Sequence, residues 1–221
     1  MGATGVIDLS HPISADTQAY PGESAPSLHS AKNIAEDGVN STDVCLTSHS
    51  GTHVDAPYHF RTDGTRLDDL PLELFTGPGI VVDVTGREDR SPITRDDLAP
   101  WRDGFAPGTI VLVRTGWDTH YRTERYFHHP YLTGDAAQLL VDSGVRTVGV
   151  DTLSPDETPY GPHPAGDWAA HHTLLGAGGT IIENLRGLDR VDFPNPWISA
   201  FPIRLSSGDG APVRAVAHRT S

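Results

Sequence analysis

Glycine and proline interrupt this chain so regularly that no long uniform segment can form. The 221 residues include 23 Gly and 18 Pro, spread along the whole length. Glycine supplies turn conformations, and proline removes a backbone donor and breaks helices, so such a chain folds from many short elements. Short β-branched runs bounded by Gly, Pro or Asp read as strands: Val6–Leu9, Val44–Thr47, Ile80–Val84, Thr109–Arg114, Thr147–Val150, Thr180–Asn184, Ile198–Leu205 and Val213–His218. Helices are fewer. "TRDDLAPW" starts at Thr94 with acids in its first turn, "TGDAAQLLVDSG" starts at Thr133 and stops at Gly144, and a third runs from about Asp167 to Gly176. Helices scattered among more numerous strands predict an α/β fold with a mixed, β-rich sheet. With no repeat or linker, residues 1–221 are expected to form one domain.

Bulk chemistry excludes some functions. There are 16 basic against 29 acidic residues, a balance that repels nucleic-acid phosphates and anionic membranes. No apolar run reaches the length of a membrane helix, and the first residues lack the basic start and apolar core of a signal peptide, so the expected compartment is the cytoplasm. The single cysteine, Cys45, rules out an internal disulfide and a cysteine-rich zinc knuckle. The twelve histidines stand apart in this composition and do not form one tract.

Three of them crowd into "SHSGTHVDAPYHF", Ser48–Phe60. As a straight strand, at ~3.3 Å per residue, His49 and Asp55 would lie roughly 20 Å apart. One metal with bonds of about 2 Å could not hold both. As a helix, His49 and His53 pair at i, i+4, but Asp55 turns away and Pro57 breaks the helix. The segment is therefore expected to bend at Gly51 and end at Pro57, with His49, His53 and Asp55 converging inside it. Two imidazoles and a carboxylate suit zinc or manganese. His59 is left to act as a general acid or base beside the metal.

"HSGTHVDAPYH" resembles the H-x-G-T-H-x-D-x-P-x-H signature of the metal-dependent cyclase family, which includes bacterial kynurenine formamidases and isatin hydrolases. The similarity continues through "VGVDTLSPD", "AAHHTLLGAGGTIIENL", "ISAFPIRL" and "GDGAPVRAVA". The resemblance implies a swivelling β/β/α fold, a homodimer or homotetramer, and one or two divalent ions, Zn²⁺ first and Mn²⁺ second. It places His49, His53 and Asp55 on the metal and His59 in proton transfer, and it adds His171 and Glu183 to the ligands. Local lengths agree. Some six helical residues from His171 to the Gly176–Gly179 turn span ~9 Å. Four returning strand residues to Glu183 span ~13 Å, so the two side chains can meet. His172 is expected at the surface or behind the ligands.

The resemblance implies a metal-dependent hydrolase that cleaves an aryl formamide, as in N-formylkynurenine, with metal-activated water. The alternatives are opening of an isatin-like lactam, a cyclase or dehydratase step, and a non-catalytic metal-binding module. The last has no use for His59. Tyr20 stands where kynurenine formamidases carry a substrate-contacting tryptophan before Pro-Gly. Tyr20, Phe60 and Trp117 lie near the site segments in sequence and are expected to contact a small-molecule substrate, with a core position the equal alternative for Trp117. Asp151 and Ser154 end a strand where sites collect. His128 and His129 read as surface residues, not ligands.

Overall fold

Ile110–Arg114 supplies the middle of the sheet because its side chains are apolar on both faces. Val111 and Val113 point one way and Ile110 and Leu112 the other, and all four are buried. The computed structural model describes residues 5–164 and 166–220.

The strands, in chain order, are β1 (Val6–Asp8), β2 (Ser27–Lys32), β3 (Ser41–Cys45), β4 (His53–Asp55), β5 (Thr76–Asp83), β6 (Pro92–Ile93), β7 (Ile110–Arg114), β8 (Tyr131–Leu132), β9 (Thr147–Val150), β10 (Thr180–Glu183), β11 (Pro196–Ser199), β12 (Gly210–Pro212) and β13 (Val216–Arg219). Nine of them form one sheet in the order β1-β13-β11-β5-β7-β9-β10-β4-β12. The four central strands, β5, β7, β9 and β10, run parallel, and antiparallel strands flank them on both sides. The mixed, β-rich α/β architecture is the one expected.

The helices are α1 (Ile34–Asp37), α2 (Arg95–Leu98), α3 (Gly134–Asp142) and α4 (Ala169–Gly176). Thr94 and Asp97 form a capping box at the start of α2, as its sequence suggests. Leu98 of α2, Ala136 and Leu140 of α3, and Leu174 of α4 cover one face of the sheet together with Val111, Val148 and Ile181. The other face packs Leu9, Val54, Phe75, Leu112, Ile182 and Ile198. Among the described residues, no helix is long and apolar enough to cross a membrane.

Three strand expectations change. Val44–Thr47 is replaced by β3, which pairs only with β2 in a separate exposed hairpin. Ile198–Leu205 is cut short at Ser199, because Pro202 cannot continue a ladder and keeps only an isolated bridge to Val213. Val213–His218 gives up its first residues, and the chain forms two strands, β12 at one edge of the sheet and β13 toward the other, between β1 and β11.

The two-faced core gives a direct test. Leu112 is fully buried and Leu72 is 65% exposed. Leu112→Ala is expected to lower stability by about 2–5 kcal/mol, and Leu72→Ala by no more than ~0.5 kcal/mol. Urea unfolding of both variants measures this, and equal shifts would contradict a core running through β7.

Candidate metal centre

The bend expected at Gly51 is present. Gly51 has φ +66, a left-handed conformation that a side chain would strain. Beyond it the chain enters β4, where alternation sends Val54 into the core and leaves His53 and Asp55 on the face that α4 covers. The segment is thus neither all strand nor all loop. Pro57 begins a single 3-10 turn that carries His59.

Register brings the distal carboxylate to this strand. β10 runs antiparallel to β4, with Glu183 directly opposite His53 and Ile181 opposite Asp55. His171, in the first turn of α4, faces the same point. His53 Nε2 lies 3.4 Å from Asp55 Oδ1 and 3.3 Å from Glu183 Oε2. His171 Nε2 lies 3.6 Å from Asp55 Oδ2 and 3.3 Å from Glu183 Oε1. Each carboxylate therefore turns one oxygen to His53 and the other to His171. His49 Nδ1 is 2.8 Å from Asp55 Oδ1, and its Nε2 is 3.1 Å from Asp209 Oδ2.

These spacings fit a divalent cation. A tetrahedron with bonds of ~2.0 Å has edges of about 3.3 Å. One donor atom each from His53, Asp55 and Glu183 lies within 4.8 Å of the others, and the same holds for His49, Asp55 and His59. His53 Nε2 and Asp55 Oδ2 are buried with no hydrogen-bond partner, while His53 Nδ1 is engaged by the Gly51 carbonyl at 2.9 Å. Buried polar atoms are rarely left unpaired, and a cation would satisfy both. The residues present fit the group.

Electrostatics in the metal-free cluster follow from burial and pairing. Burial alone would raise the Asp55 carboxyl, but the neighbouring His171 and His49 imidazoles outweigh it and hold Asp55 well below the usual carboxylate range. Burial would lower His53, and Asp55 and Glu183 reverse that and raise it well above 6.5. His49 is opposed by burial too, yet Asp209 and Asp55 lift it to about 9. Without a metal, protons on the histidines balance the carboxylates.

The cluster forms the floor of a cleft of about 290 Å³ that opens to solvent. Tyr20, Phe60, Leu153 and Trp168 line it, with Glu23, Ser154 and Asn184. Phe60 stacks on His171, with centroids 4.4 Å apart and planes at 19°. His59 also lines the cleft, 4.0 Å from His49 between ring centroids. Its Nδ1 is 3.7 Å from Asp209 Oδ2.

Tyr20 and Phe60 thus stand where a substrate would lie, and Trp117 does not. Trp117 is 4% exposed, donates its indole N–H to the Arg125 carbonyl, and packs with Tyr126 and Leu153. Of the two positions open to it from sequence, pocket and core, Trp117 takes the core. Ser154 reaches the cleft, whereas Asp151 accepts hydrogen bonds from Thr115 and Gly116 behind it. His172 is exposed, as expected. His129 is not at the surface. It is buried between Thr158 and the Pro130 carbonyl, and burial lowers it to about 4, which keeps it neutral. Sequence reasoning missed Trp168, Glu23, Asp156 and Asp209. The glycines around Asp209 in "GDGAP" were the available signal: a Cβ on Gly210 would come within 3.0 Å of the His49 ring.

The Cyclase family model matches residues 7–157, and the chain belongs to that family. It is 34% identical to a kynurenine formamidase of Bacillus cereus over 213 residues, 95% of each chain. A kynurenine formamidase of Salinibacter ruber is 36% identical, again over nearly the full length of both chains (96%). Among solved structures, isatin hydrolase A from Labrenzia aggregata bound to benzyl benzoate superimposes with a TM-score of 0.87, at 26% identity, covering 98% of this chain and 94% of that one.

The pH dependence of stability tests the charge balance. The folded pKa of His49, about 9, lies above the ordinary 6.5. Its contribution is therefore fully present below pH 6.5 and is lost as pH rises through about 9. Melting temperatures of metal-free protein should fall across this window, and added Zn²⁺ should reduce the fall, because the ion replaces the protons. A metal-free curve that is flat across the window would contradict the assignment.

Proposed function

We propose that this chain is a metal-dependent amidohydrolase that cleaves aryl amides, N-formyl arylamines foremost. One observation carries the reading: Asp55 and Glu183 are shared between His53 and His171 at spacings a cation would close, on the floor of an aromatic-walled cleft. The likeness to kynurenine formamidases supports the substrate class. His49, His53, Asp55, His171 and Glu183 would hold one ion or two. Their mixed nitrogen and oxygen donors favour Zn²⁺, with Mn²⁺ second.

When bound, the ion supplies Lewis acidity toward water and the amide carbonyl. The chain's own residues do the rest. Tyr20, Phe60 and Trp168 hold the aryl ring and keep bulk water from it. His59 sits within the cleft beside His49 and delivers a proton to the leaving nitrogen as the carbon–nitrogen bond breaks. Water adds across that bond, so the products are an arylamine and a carboxylic acid. Asp209, between His49 and His59, orients both rings.

The structural likeness to isatin hydrolase A favours a second reading, opening of an isatin-like lactam on the same floor. We place the chain in a homodimer or homotetramer, because the β2–β3 hairpin stands exposed and unsupported and a lone two-stranded hairpin is marginal in water. The unpaired Cys45 thiol accords with a cytoplasmic setting.

His53→Ala should lose bound metal, read by elemental analysis. His59→Ala should keep it and lose ~10²–10⁴-fold in turnover. Metal intact and rates near wild type in His59→Ala would remove His59 from proton transfer.

With metal-replete protein, N-formyl arylamines should react faster than isatins, simple esters or aliphatic amides. Isatin opening without formamide cleavage would make the second reading the right one, and inactivity on all four classes would overturn the hydrolase.

A further inference from the structure

Asp156 belongs to neither donor set, yet it is buried and accepts three hydrogen bonds from the start of α4. Its Oδ1 accepts from the Ala170 amide at 2.8 Å, and its Oδ2 accepts from the His171 amide at 2.9 Å. The same Oδ2 lies 2.6 Å from His171 Nδ1. The flanking chain caps only the first amide of α4, that of Ala169, which donates to Asp167 Oδ1 at 3.2 Å. Trp168, at the N-cap position, is left-handed at φ 48 and makes no side-chain cap bond. A carboxylate from the loop after β9 takes the next two amides and grips the imidazole as well.

The consequence is chemical. A neutral imidazole carries one ring proton. With Nδ1–H donating to Asp156, the lone pair of Nε2 faces Glu183 Oε1 and Asp55 Oδ2. In the other tautomer, Nε2 carries the proton and cannot bind a cation. His53 is held by the same logic, but its Nδ1 meets a neutral carbonyl, that of Gly51. A carboxylate partner does more, because it makes the ligating nitrogen more basic.

We propose that Asp156 is a positioning residue that selects the Nε2-binding tautomer of His171 and strengthens it as a ligand. This rests on the metal reading above. The rival account is that Asp156 only caps α4.

A double-mutant cycle separates the two. Zn²⁺ affinity is measured by chelator competition in the full chain carrying Asp156→Asn, His171→Ala or both, with circular dichroism as a check on folding. Asparagine retains an oxygen for the cap amides but places an amide where the carboxylate met the ring. D156N should weaken Zn²⁺ binding ~10–100-fold when His171 is present and should change nothing further in H171A. Unchanged affinity in D156N would overturn the proposal, and so would an equal loss in both backgrounds, which is the mark of a capping role alone. If D156N does not fold, Asp156→Ser keeps a capping hydroxyl and is judged by the same criteria. Wild-type protein that binds no Zn²⁺ would instead sink the metal reading itself, and this proposal with it.

Discussion

Two carboxylates buried side by side set the terms for everything around them. Asp55 and Glu183 share one cluster, and like charges in a dry site repel unless cations balance them. The fold surrounds the pair with imidazoles from three directions: His49 from the bend, His53 from β4 and His171 from α4. The register of β4 against β10, the seating of α4 over the sheet and the approach of Gly210 to His49 all serve this balance. Protons meet it in the metal-free state, and a divalent ion meets it with fewer and better-placed charges.

The aromatic wall is not independent of that centre. Phe60 stacks on His171 and also meets His59 edge-on at 4.9 Å between centroids. A ring entering the cleft would therefore press on a side chain already in contact with a ligand and with the proposed proton carrier. Displacement of the wall and of the His171 ring are mechanically linked, since packed side chains transmit displacement.

What could be read from the chain divides along the range of the interactions involved. The bend at Gly51, the break at Pro57 and the capped start of α2 follow from neighbours a few residues apart, and each was legible. The buried strands β7, β9 and β10 were legible too, because their apolar runs are continuous. The pairing of His53 with Glu183 was not. It depends on which strands lie next to each other, and only the family resemblance pointed to it. The β2–β3 hairpin escaped notice because "SLHSAK" and "STDVC" show no buried face, and in the structure they have none. Trp117 was placed at the cleft and Trp168 missed for one reason: sequence gives an aromatic residue's position along the chain but not the direction its ring takes.

The position of β4 in the sheet has a consequence for the growing chain. Its two neighbours, β10 and β12, begin at Thr180 and Gly210, more than a hundred residues downstream. During synthesis at 5–20 residues per second, the histidine-bearing segment waits roughly 6–25 s for its first partner strand. Through that interval His49, His53 and Asp55 stay on a strand without neighbours, before Glu183 exists to face them. Assembly of this cluster is thus ordered by translation itself: its early donor residues are made first, but the cluster closes only when β10 and β12 arrive.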